Sequence, residues 1–301
     1  MRELLAELER IERELPCVAG AEADALCARR DALLETCRHL TAEQKVLVAR
    51  HPRRPKIDHY IDALFTDFFA QRGDRQCRED TSVLGGIALF HGRPVTVIGH
   101  RKGATIEENM AYNFGMPGPE GYRKAQRLMK QAEKFGRPII TFLDTPGAYP
   151  GMQAEERGQG EAIAASLALM SRLRVPVICV ITGEGNSGGA LAMGLGDRVL
   201  MLENAYYSVV SPEACATILW KDAKKRGEAG EALKLTAQDL MGFGVIDGII
   251  PEAPGGAQRD PKALYSALDA ALCNCLDELC AMNGDELIAA RYQKYRTIGL
   301  A

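Results

Sequence analysis

Two apolar runs, each followed by a glycine-rich stretch and then by a helical pattern, constrain the fold of this chain more than any other feature. The first run covers residues 139–145 and the second covers residues 175–182. Short apolar runs bounded by turn residues are typical of buried strands. A glycine-rich turn that opens a helix exposes backbone N–H groups where the peptide dipoles favour negative charge. The sequence therefore predicts an α/β fold with two turns built to hold an anion.

The length and charge of the chain narrow its functional class. Its 301 residues, 47% of them hydrophobic, can bury a substantial core. The 37 basic residues are balanced by 40 acidic residues, which gives a formal net charge of −3. Residues 51–56 form a basic cluster, which we interpret as a solvated linker. Because no larger basic surface is indicated, we expect no nucleic-acid partner.

The cysteines and the N-terminal sequence predict a cytoplasmic location. The nine cysteines are odd in number and scattered, and no Cys-x-x-Cys pair occurs, which argues against a disulfide framework or a cysteine zinc site. The first residues alternate charges with leucines, unlike a signal peptide. No stretch reaches the roughly 18 apolar residues that a membrane span requires. We therefore expect no metal on this chain and no association with a membrane.

The hydrophobic pattern divides the chain into an N-terminal helical region, residues 1–55, and a larger domain, residues 56–301. Leucines at helical spacing predict antiparallel helices in the first region, and a capping-box sequence at residues 41–44 predicts a further helix that ends before Pro52. In the larger domain, the order ββα is repeated. The predicted elements are strands at 85–90, 95–99, 138–144, 175–182, 197–202, 206–210 and 245–250, a hairpin turn at 91–94, and helices at 122–135, 155–173, from 211 onward, and 261–282.

The spacing Gly-x-Gly-x-x-Gly at Gly183, Gly185 and Gly188 leaves two interpretations open. In the first, these glycines cradle the phosphates of a dinucleotide, as in an NAD(P)-dependent oxidoreductase, and Glu203 binds the ribose about 20 residues later. Against this, the motif lies deep in the chain instead of opening a nucleotide domain, and a single motif of this kind is a weak signal. No P-loop sequence is present.

In the second interpretation, the amides of Gly188 and Gly189 form an oxyanion hole at the start of a short helix. Glycine permits the close approach that a Cβ atom would block, and each donor is typically worth about 3 kcal/mol of transition-state stabilisation. The five histidines lie away from the glycine turns in the sequence, and Ser187, which has no evident base nearby, is interpreted as a helix N-cap. This interpretation predicts catalysis by backbone groups.

Five longer motifs are more specific than the glycine spacing. They are residues 113–125, 142–151, 154–159, 183–190 and 208–213. Together they resemble the carboxyltransferase alpha subunits of bacterial acetyl-CoA carboxylase. The resemblance extends from about residue 50 to residues 291–293, whereas the first 50 residues match loosely. Asn186 stands where a glycine is expected in the family, a difference that should narrow the pocket without removing either donor.

This resemblance implies a crotonase-like (ClpP/crotonase) fold, a spiral of ββα units whose oxyanion holes stabilise enolates. The implied reaction transfers a carboxyl group from carboxybiotin to acetyl-CoA and gives malonyl-CoA for fatty acid synthesis. Biotin is then attached to the biotin carboxyl carrier protein and not to this chain, and its ureido oxygen is bound by the amides of Gly188 and Gly189. ATP is used only by the separate biotin carboxylase component.

The resemblance also implies a partner subunit. The beta subunit of such enzymes carries a Cys-x-x-Cys…Cys-x-x-Cys zinc ribbon and supplies a second oxyanion hole and most contacts to acyl-CoA. Because this chain lacks that cysteine pattern, we expect it to be half of an active site. The family arrangement implies an assembly of two alpha and two beta subunits, active only when both are present.

Four further residues are candidates for substrate binding. Gly147 and Ala148 either frame the floor of the pocket or simply turn the chain. Arg101 and Lys102 either hold a carboxylate or a CoA phosphate or are ordinary exposed charges. An enoyl-CoA hydratase-like enzyme of the same fold is an alternative function, but it needs paired carboxylates, and Glu184 is the only acid in the glycine-rich turn.

Overall fold

The computed structural model describes residues 1–299, which form a mixed eight-stranded sheet with helices packed around it. The strands are β1 (Thr66–Ala70), β2 (Val83–Phe90), β3 (Arg93–His100), β4 (Ile139–Thr145), β5 (Val177–Asn186), β6 (Arg198–Leu202), β7 (Tyr206–Ser208) and β8 (Gly248–Ile250). The helices are α1 (Arg2–Glu14), α2 (Ala21–Arg38), α3 (Ala42–Ala49), α4 (Ile57–Leu64), α5 (Ile106–Ala111), α6 (Pro119–Lys134), α7 (Met152–Glu156), α8 (Gln159–Met170), α9 (Ser187–Leu191), α10 (Pro212–Trp220), α11 (Arg226–Leu233), α12 (Ala237–Gly242), α13 (Pro261–Cys280) and α14 (Gly284–Thr297). Among the helices within residues 1–299, none combines the length and apolar character that a bilayer crossing requires.

The sheet has the order β1-β2-β3-β4-β5-β6-β8, and β7 pairs with the last residues of β5. β1, β2 and β3 are antiparallel neighbours, whereas the pairs from β3 to β8 are parallel. Every residue of β4 and β5 is buried, as expected for parallel strands that are covered on both faces. The predicted α/β fold is confirmed, and the two apolar runs of the sequence form adjacent strands inside the sheet.

The predicted hairpin is present, but its turn is shorter than expected. β3 begins at Arg93, directly opposite Phe90 at the end of β2. His91 and Gly92 form the turn with φ angles of 48° and 79°, the pattern of a two-residue type I′ turn. The expected turn at residues 91–94 is therefore too long, because this turn type needs only two residues between the strands.

The glycine-rich segment after the second apolar run also differs from the prediction. β5 continues past its expected end to Asn186, so Gly183 and Gly185 are strand residues and not turn residues. A Cβ atom on Gly183 would overlap the carboxylate of Asp144, and one on Gly185 would lie 2.8 Å from the ring of Tyr207. Glycine is thus required here for close packing. The turn is confined to the residues that start α9.

The N-terminal helices bury their apolar stripe largely against each other. The residues of this small cluster are Leu5, Leu8, Ile11, Leu33, Cys37 and Val48. α3 begins with the predicted capping box, in which Thr41 and Gln44 exchange side-chain-to-backbone hydrogen bonds, and it ends before Pro52 as expected. Val46 of α3 belongs to the main core of the protein. The division of the chain at residue 55 stays a prediction.

The other predicted elements agree with the structure to within a few residues, apart from the helix expected at residues 155–173. That segment forms α7 and α8, which are separated by Gly158. The φ angle of Gly158 is 85°, a left-handed conformation that glycine adopts without steric strain. The chain can therefore change direction between the two helices, which the hydrophobic pattern alone does not indicate.

Candidate active site

The two glycine-rich segments that follow β4 and β5 meet at the carboxyl ends of these strands. The strands are parallel neighbours, so the segments that follow them lie side by side. Gly189 in α9 packs directly onto the backbone of Gly147 and Ala148, and a Cβ atom on Gly189 would lie 2.5 Å from the carbonyl carbon of Gly147. The structure thus brings together four of the sequence-predicted site residues, namely these three and Gly188.

The amides of Gly188 and Gly189 belong to the first turn of α9. The first four N–H groups of a helix have no acceptor within that helix. Gly188 is half-buried, and a Cβ atom there would make only ordinary contacts, 3.5 and 3.8 Å from Ile163. Beside Gly188 lies an open, mainly apolar cavity of about 320 Å³. Its lining consists of Ser187, Gly188, Leu191, Tyr207, Ser208, Val209, Leu240 and Val245. The start of α9 therefore combines backbone donors with a space that can admit a ligand.

Ser187 does not cap α9 as predicted. Asn186 holds the N-cap position, and its side chain makes no capping hydrogen bond. The Asn186 amide instead donates to Tyr206 Oη at 2.9 Å. Ser187 is exposed and has a φ angle of 55°. Left-handed backbone is unfavourable for serine and is concentrated at functional sites. Ser187 therefore forms the sharp turn between β5 and the two glycines.

Next to the glycine segments, Lys102 joins two buried carboxylates. Its Nζ atom donates to Asp144 Oδ1 at 2.8 Å and to Glu184 Oε1 at 2.7 Å. The backbone N–H of Glu184 also donates to Asp144 Oδ1, at 3.0 Å. Because Asp144 lies near the end of β4 and Glu184 lies in β5, these bonds hold the carboxyl ends of the two strands together.

The cations around these carboxylates keep both of them ionised. Burial alone would raise the pKa of Glu184, but the positive charges of Lys102 and Arg50 outweigh burial and lower this pKa to about 2. Burial also opposes ionisation of Asp144, yet Lys102 and Lys56 hold the pKa of Asp144 well below its ordinary value. Neither carboxyl group is therefore available as a general acid near neutral pH.

Arg50, which follows α3, extends this network to other segments. Its Nε atom donates to Glu184 Oε2 at 2.8 Å, and its Nη1 atom donates to Glu213 Oε1 at 2.7 Å. A third bond, from Nη2, reaches Tyr206 Oη at 2.8 Å. Tyr206 in turn donates to Glu184 Oε2 at 2.6 Å. Arg50 thus ties the end of α3 to β5, β7 and the first turn of α10.

The interpretation of residues 51–56 as a solvated linker is wrong. Arg54 and Lys56 are buried. The Nε atom of Arg54 donates to the Thr182 carbonyl oxygen at 2.6 Å, and its guanidinium group binds both carboxylate oxygens of Glu252. Lys56 Nζ lies 3.7 Å from Asp144 Oδ2. Arg54 and Lys56 are in the interior because buried carboxylates from distant segments need partners.

Arg101 and Lys102 already have partners within the chain. Arg101 donates two hydrogen bonds to Asp58, at 3.1 and 2.7 Å, and its guanidinium carbon lies 4.2 Å from the centre of the Tyr112 ring. Lys102 is held by Asp144 and Glu184, as described above. A carboxylate or phosphate of a substrate would have to compete with these partners. Substrate binding by Arg101 and Lys102 stays a prediction.

His100, the last residue of β3, lies at the glycine segments although the sequence separates it from them. Its ring is buried against the carbonyl groups of Gly189 and Phe142, and neither ring nitrogen has a hydrogen bond of good geometry within residues 1–299. Burial lowers the pKa of His100 to about 3, so the ring is neutral at pH 7. Its position at the end of a strand is the one sequence signal that could have indicated this placement.

The geometry does not favour the dinucleotide interpretation. A phosphate site needs a turn whose backbone N–H groups face the ligand, but Gly183 and Gly185 lie within β5. The carboxylate of Asp144 lies directly against Gly183, so the space beside this glycine is already filled. Glu203 accepts the backbone N–H of Glu252 at 3.1 Å.

Comparison of sequences identifies a family that matches the described chain. Residues 1–299 match the sequence profile of the family described as acetyl co-enzyme A carboxylase carboxyltransferase-like. The acetyl-coenzyme A carboxylase carboxyl transferase subunit alpha of Anoxybacillus flavithermus is 52% identical over 300 residues, which are 99% of this chain and 92% of that protein. The protein of the same name from Bacillus cytotoxicus is 58% identical over 255 residues, 85% of this chain and 79% of that one.

Solved structures that resemble the chain confirm the crotonase-like fold. Transcarboxylase 12S, solved with methylmalonyl-coenzyme A, has a TM-score of 0.63 at 18% identity, over 81% of this chain and 45% of that chain. A Pseudomonas malonate decarboxylase hetero-tetramer in complex with coenzyme A has a TM-score of 0.58 at 18% identity, over 70% of this chain and 84% of that chain. At this identity the likeness concerns the fold alone.

Proposed function

The chain belongs to the acetyl-CoA carboxylase carboxyltransferase family as a subunit of the alpha type, and we propose that it supplies one half of an active site that a beta subunit completes. The alpha designation implies a beta partner in the carboxyltransferase. In this proposal the beta subunit brings the zinc ribbon, the second oxyanion hole and most contacts to acetyl-CoA. Two alpha and two beta subunits then form the active assembly.

The proposed reaction transfers a carboxyl group from carboxybiotin to acetyl-CoA and yields malonyl-CoA for fatty acid synthesis. The biotin carboxyl carrier protein brings the group to the site, and a separate biotin carboxylase, the component that uses ATP, loads the carrier. When bound, biotin supplies the activated carboxyl group and a ureido oxygen on which negative charge develops. No biotin attachment and no catalytic metal are proposed for this chain.

The cavity beside Gly188 suits such a ligand in shape and polarity. Its lining is mainly apolar, and the start of α9 adds polar donors at one edge. In the proposed mechanism the amides of Gly188 and Gly189 donate hydrogen bonds to the oxygen that becomes negative. Such a donor typically stabilises a transition state by about 3 kcal/mol. Gly147 and Ala148, packed against Gly189, fix the position of that amide.

The ion pairs formed by Lys102 have a positioning role in this proposal. They neutralise Asp144 and Glu184, which would otherwise place uncompensated negative charge close to the developing oxyanion. They also hold the ends of β4 and β5 in register, so that the two glycine segments stay in contact. The chain then needs no side-chain acid or base of its own at the reacting atoms.

The observation that carries the proposal is the packing of Gly189 on the turn at Gly147 and Ala148, next to Gly188, which lines an open cavity. The test measures malonyl-CoA formation from acetyl-CoA and carboxylated carrier protein, with the full chain alone and with the beta subunit of a relative. We expect the isolated chain to have less than about 1% of the rate of the mixture, because the oxyanion-hole donors of the beta subunit are missing. Full turnover by the chain alone would refute the proposal.

We further propose that residues 1–55 form an N-terminal helical region and that residues 56–301 form the carboxyltransferase domain. The small apolar cluster between α1 and α2 supports a distinct packing unit at the N-terminus. A cytoplasmic location is proposed on the basis of the unpaired cysteines within residues 1–299. Alkylation of the freshly isolated protein, unfolded in the presence of a metal chelator, tests this: free thiols at all nine cysteines are expected.

A further inference from the structure

A second cluster of ligand-type side chains lies where the tip of the β2–β3 hairpin contacts α13. His91 comes from the two-residue turn, whereas Asp269 and Cys273 come from α13. The Nε2 atom of His91 lies 2.8 Å from Asp269 Oδ1. One potential ligand atom of each of the three residues lies within 4.8 Å of the other two. None of these residues belongs to the glycine segments or to the Lys102 network.

We propose that His91, Asp269 and Cys273 form a binding site for Zn²⁺ or a similar divalent transition metal. Zinc is bound by imidazole nitrogen, carboxylate oxygen and thiolate sulfur at about 2.0–2.3 Å, in tetrahedral geometry. Ligand atoms around such an ion are roughly 3–4 Å apart, so small side-chain rotations suffice to bring the three groups into place. A water molecule would fill the fourth position.

The positions of the ligands along the chain favour a metal. Asp269 and Cys273 are four residues apart on a helix, so their side chains leave the same face. Two metal ligands with this i, i+4 spacing occur in known zinc motifs. The type I′ turn fixes the backbone of His91, and its side chain reaches Asp269 and Cys273 from the β2–β3 hairpin. The ion would therefore connect the hairpin tip to α13.

The charges around the site also favour a cation. Asp269 and Asp277 are negative, and Arg93 is the facing cation, with its guanidinium group 3.3 Å from Asp277 Oδ1 and 3.3 Å from Cys280 Sγ. The formal charges of these three side chains sum to −1. Binding displaces the thiol proton of Cys273 to solvent and forms the metal–sulfur bond, with no change in oxidation state.

The test measures the alkylation rate of each cysteine of the full chain by mass spectrometry, with and without excess Zn²⁺. We expect Zn²⁺ to slow the alkylation of Cys273 at least tenfold and to leave exposed Cys17 unchanged. The variants H91A and D269N should lose this protection. The variant H39A, which changes an exposed histidine elsewhere, should keep it.

Each result decides the proposal because the readout is specific to one residue. If Zn²⁺ leaves the alkylation of Cys273 in the wild-type chain unchanged, the site does not exist. If protection persists at full strength in both H91A and D269N, the zinc is held by other groups and the assignment is wrong. Circular dichroism spectra equal to that of the wild type show that the variants are folded, as expected for an exposed and a half-buried position.

Discussion

Replacing Lys102 by methionine tests whether the buried ion pairs hold the two glycine segments in place. Methionine keeps much of the side-chain volume but removes the charge. The Lys102 side chain is 11% exposed, and its two carboxylate partners are 7% and 9% exposed. Loss of one member of a buried ion pair typically lowers the free energy of unfolding by about 3–5 kcal/mol. Since Lys56 and Arg50 remain beside the carboxylates, we expect the lower end, about 3 kcal/mol.

The loss should depend on pH in a defined direction. The folded-state pKa of Glu184 is about 2, below the value of about 4.3 for an unfolded glutamate. A lowered pKa contributes stability that is present above about pH 4.3 and disappears as the pH falls towards the folded-state value. Lys102 causes part of this lowering. The difference between the wild type and Lys102→Met should therefore be largest near pH 7 and shrink below about pH 4.

Urea unfolding of the full chain at about pH 7, 5 and 3.5 measures this difference. The matched control is Arg101→Met, one residue away, which removes a pair between side chains that are 28% and 38% exposed. An ion pair between partly exposed side chains contributes about 1 kcal/mol or less to the free energy of unfolding. Equal losses in the two variants at pH 7, or a loss that grows as the pH falls, would refute the reasoning.

Three further expectations concern the glycine segments, the Arg54–Glu252 pair and the dinucleotide interpretation. Gly189→Ala should lower malonyl-CoA synthesis by the alpha–beta mixture by roughly a hundredfold, because its Cβ atom would overlap the Ala148 amide. Gly188→Ala, whose Cβ atom would make only ordinary contacts with Ile163, should leave the Tm unchanged, and a Tm loss larger than that of Gly189→Ala would contradict this. Arg54→Met should lower the free energy of unfolding in urea by about 3–5 kcal/mol, because Glu252 stays buried without its partner. Titration with NADH should give no saturable fluorescence change, and saturable binding would restore the dinucleotide interpretation.

Local sequence signals were sufficient to predict the strands and turns whose causes are local. The apolar runs of β4 and β5, the capping box of α3 and the hairpin each depend on residues close together in the chain. The sequence predicts a turn at Gly183 and Gly185, which lie within β5, because no nearby residue indicates a strand there. Their true role depends on Asp144 and Tyr207, which come from other strands.

The charged part of the site could not be predicted for the same reason. The neighbours of Arg54 in the sequence indicate a solvated linker, and its partner Glu252 is 198 residues away.

The His91 cluster is likewise hidden from local sequence patterns, because His91 and Asp269 are 178 residues apart. A search for closely spaced cysteine pairs therefore does not detect their cluster. The resemblance to a family indicated the glycine segments, but it did not indicate the ion pairs that support them.

The position of Arg50 and Arg54 has a consequence for shortened forms of this protein. A chain that begins at residue 41 would keep both arginines and lose the small apolar cluster of the first two helices together with the ion pairs of Glu9 with Arg53 and of Glu12 with Arg259. A chain that begins at residue 57 would leave Glu184, Glu213 and Glu252 without the guanidinium groups that neutralise them. The segment that joins the N-terminal helices to the sheet is therefore the part of the N-terminus that a minimal catalytic fragment cannot omit.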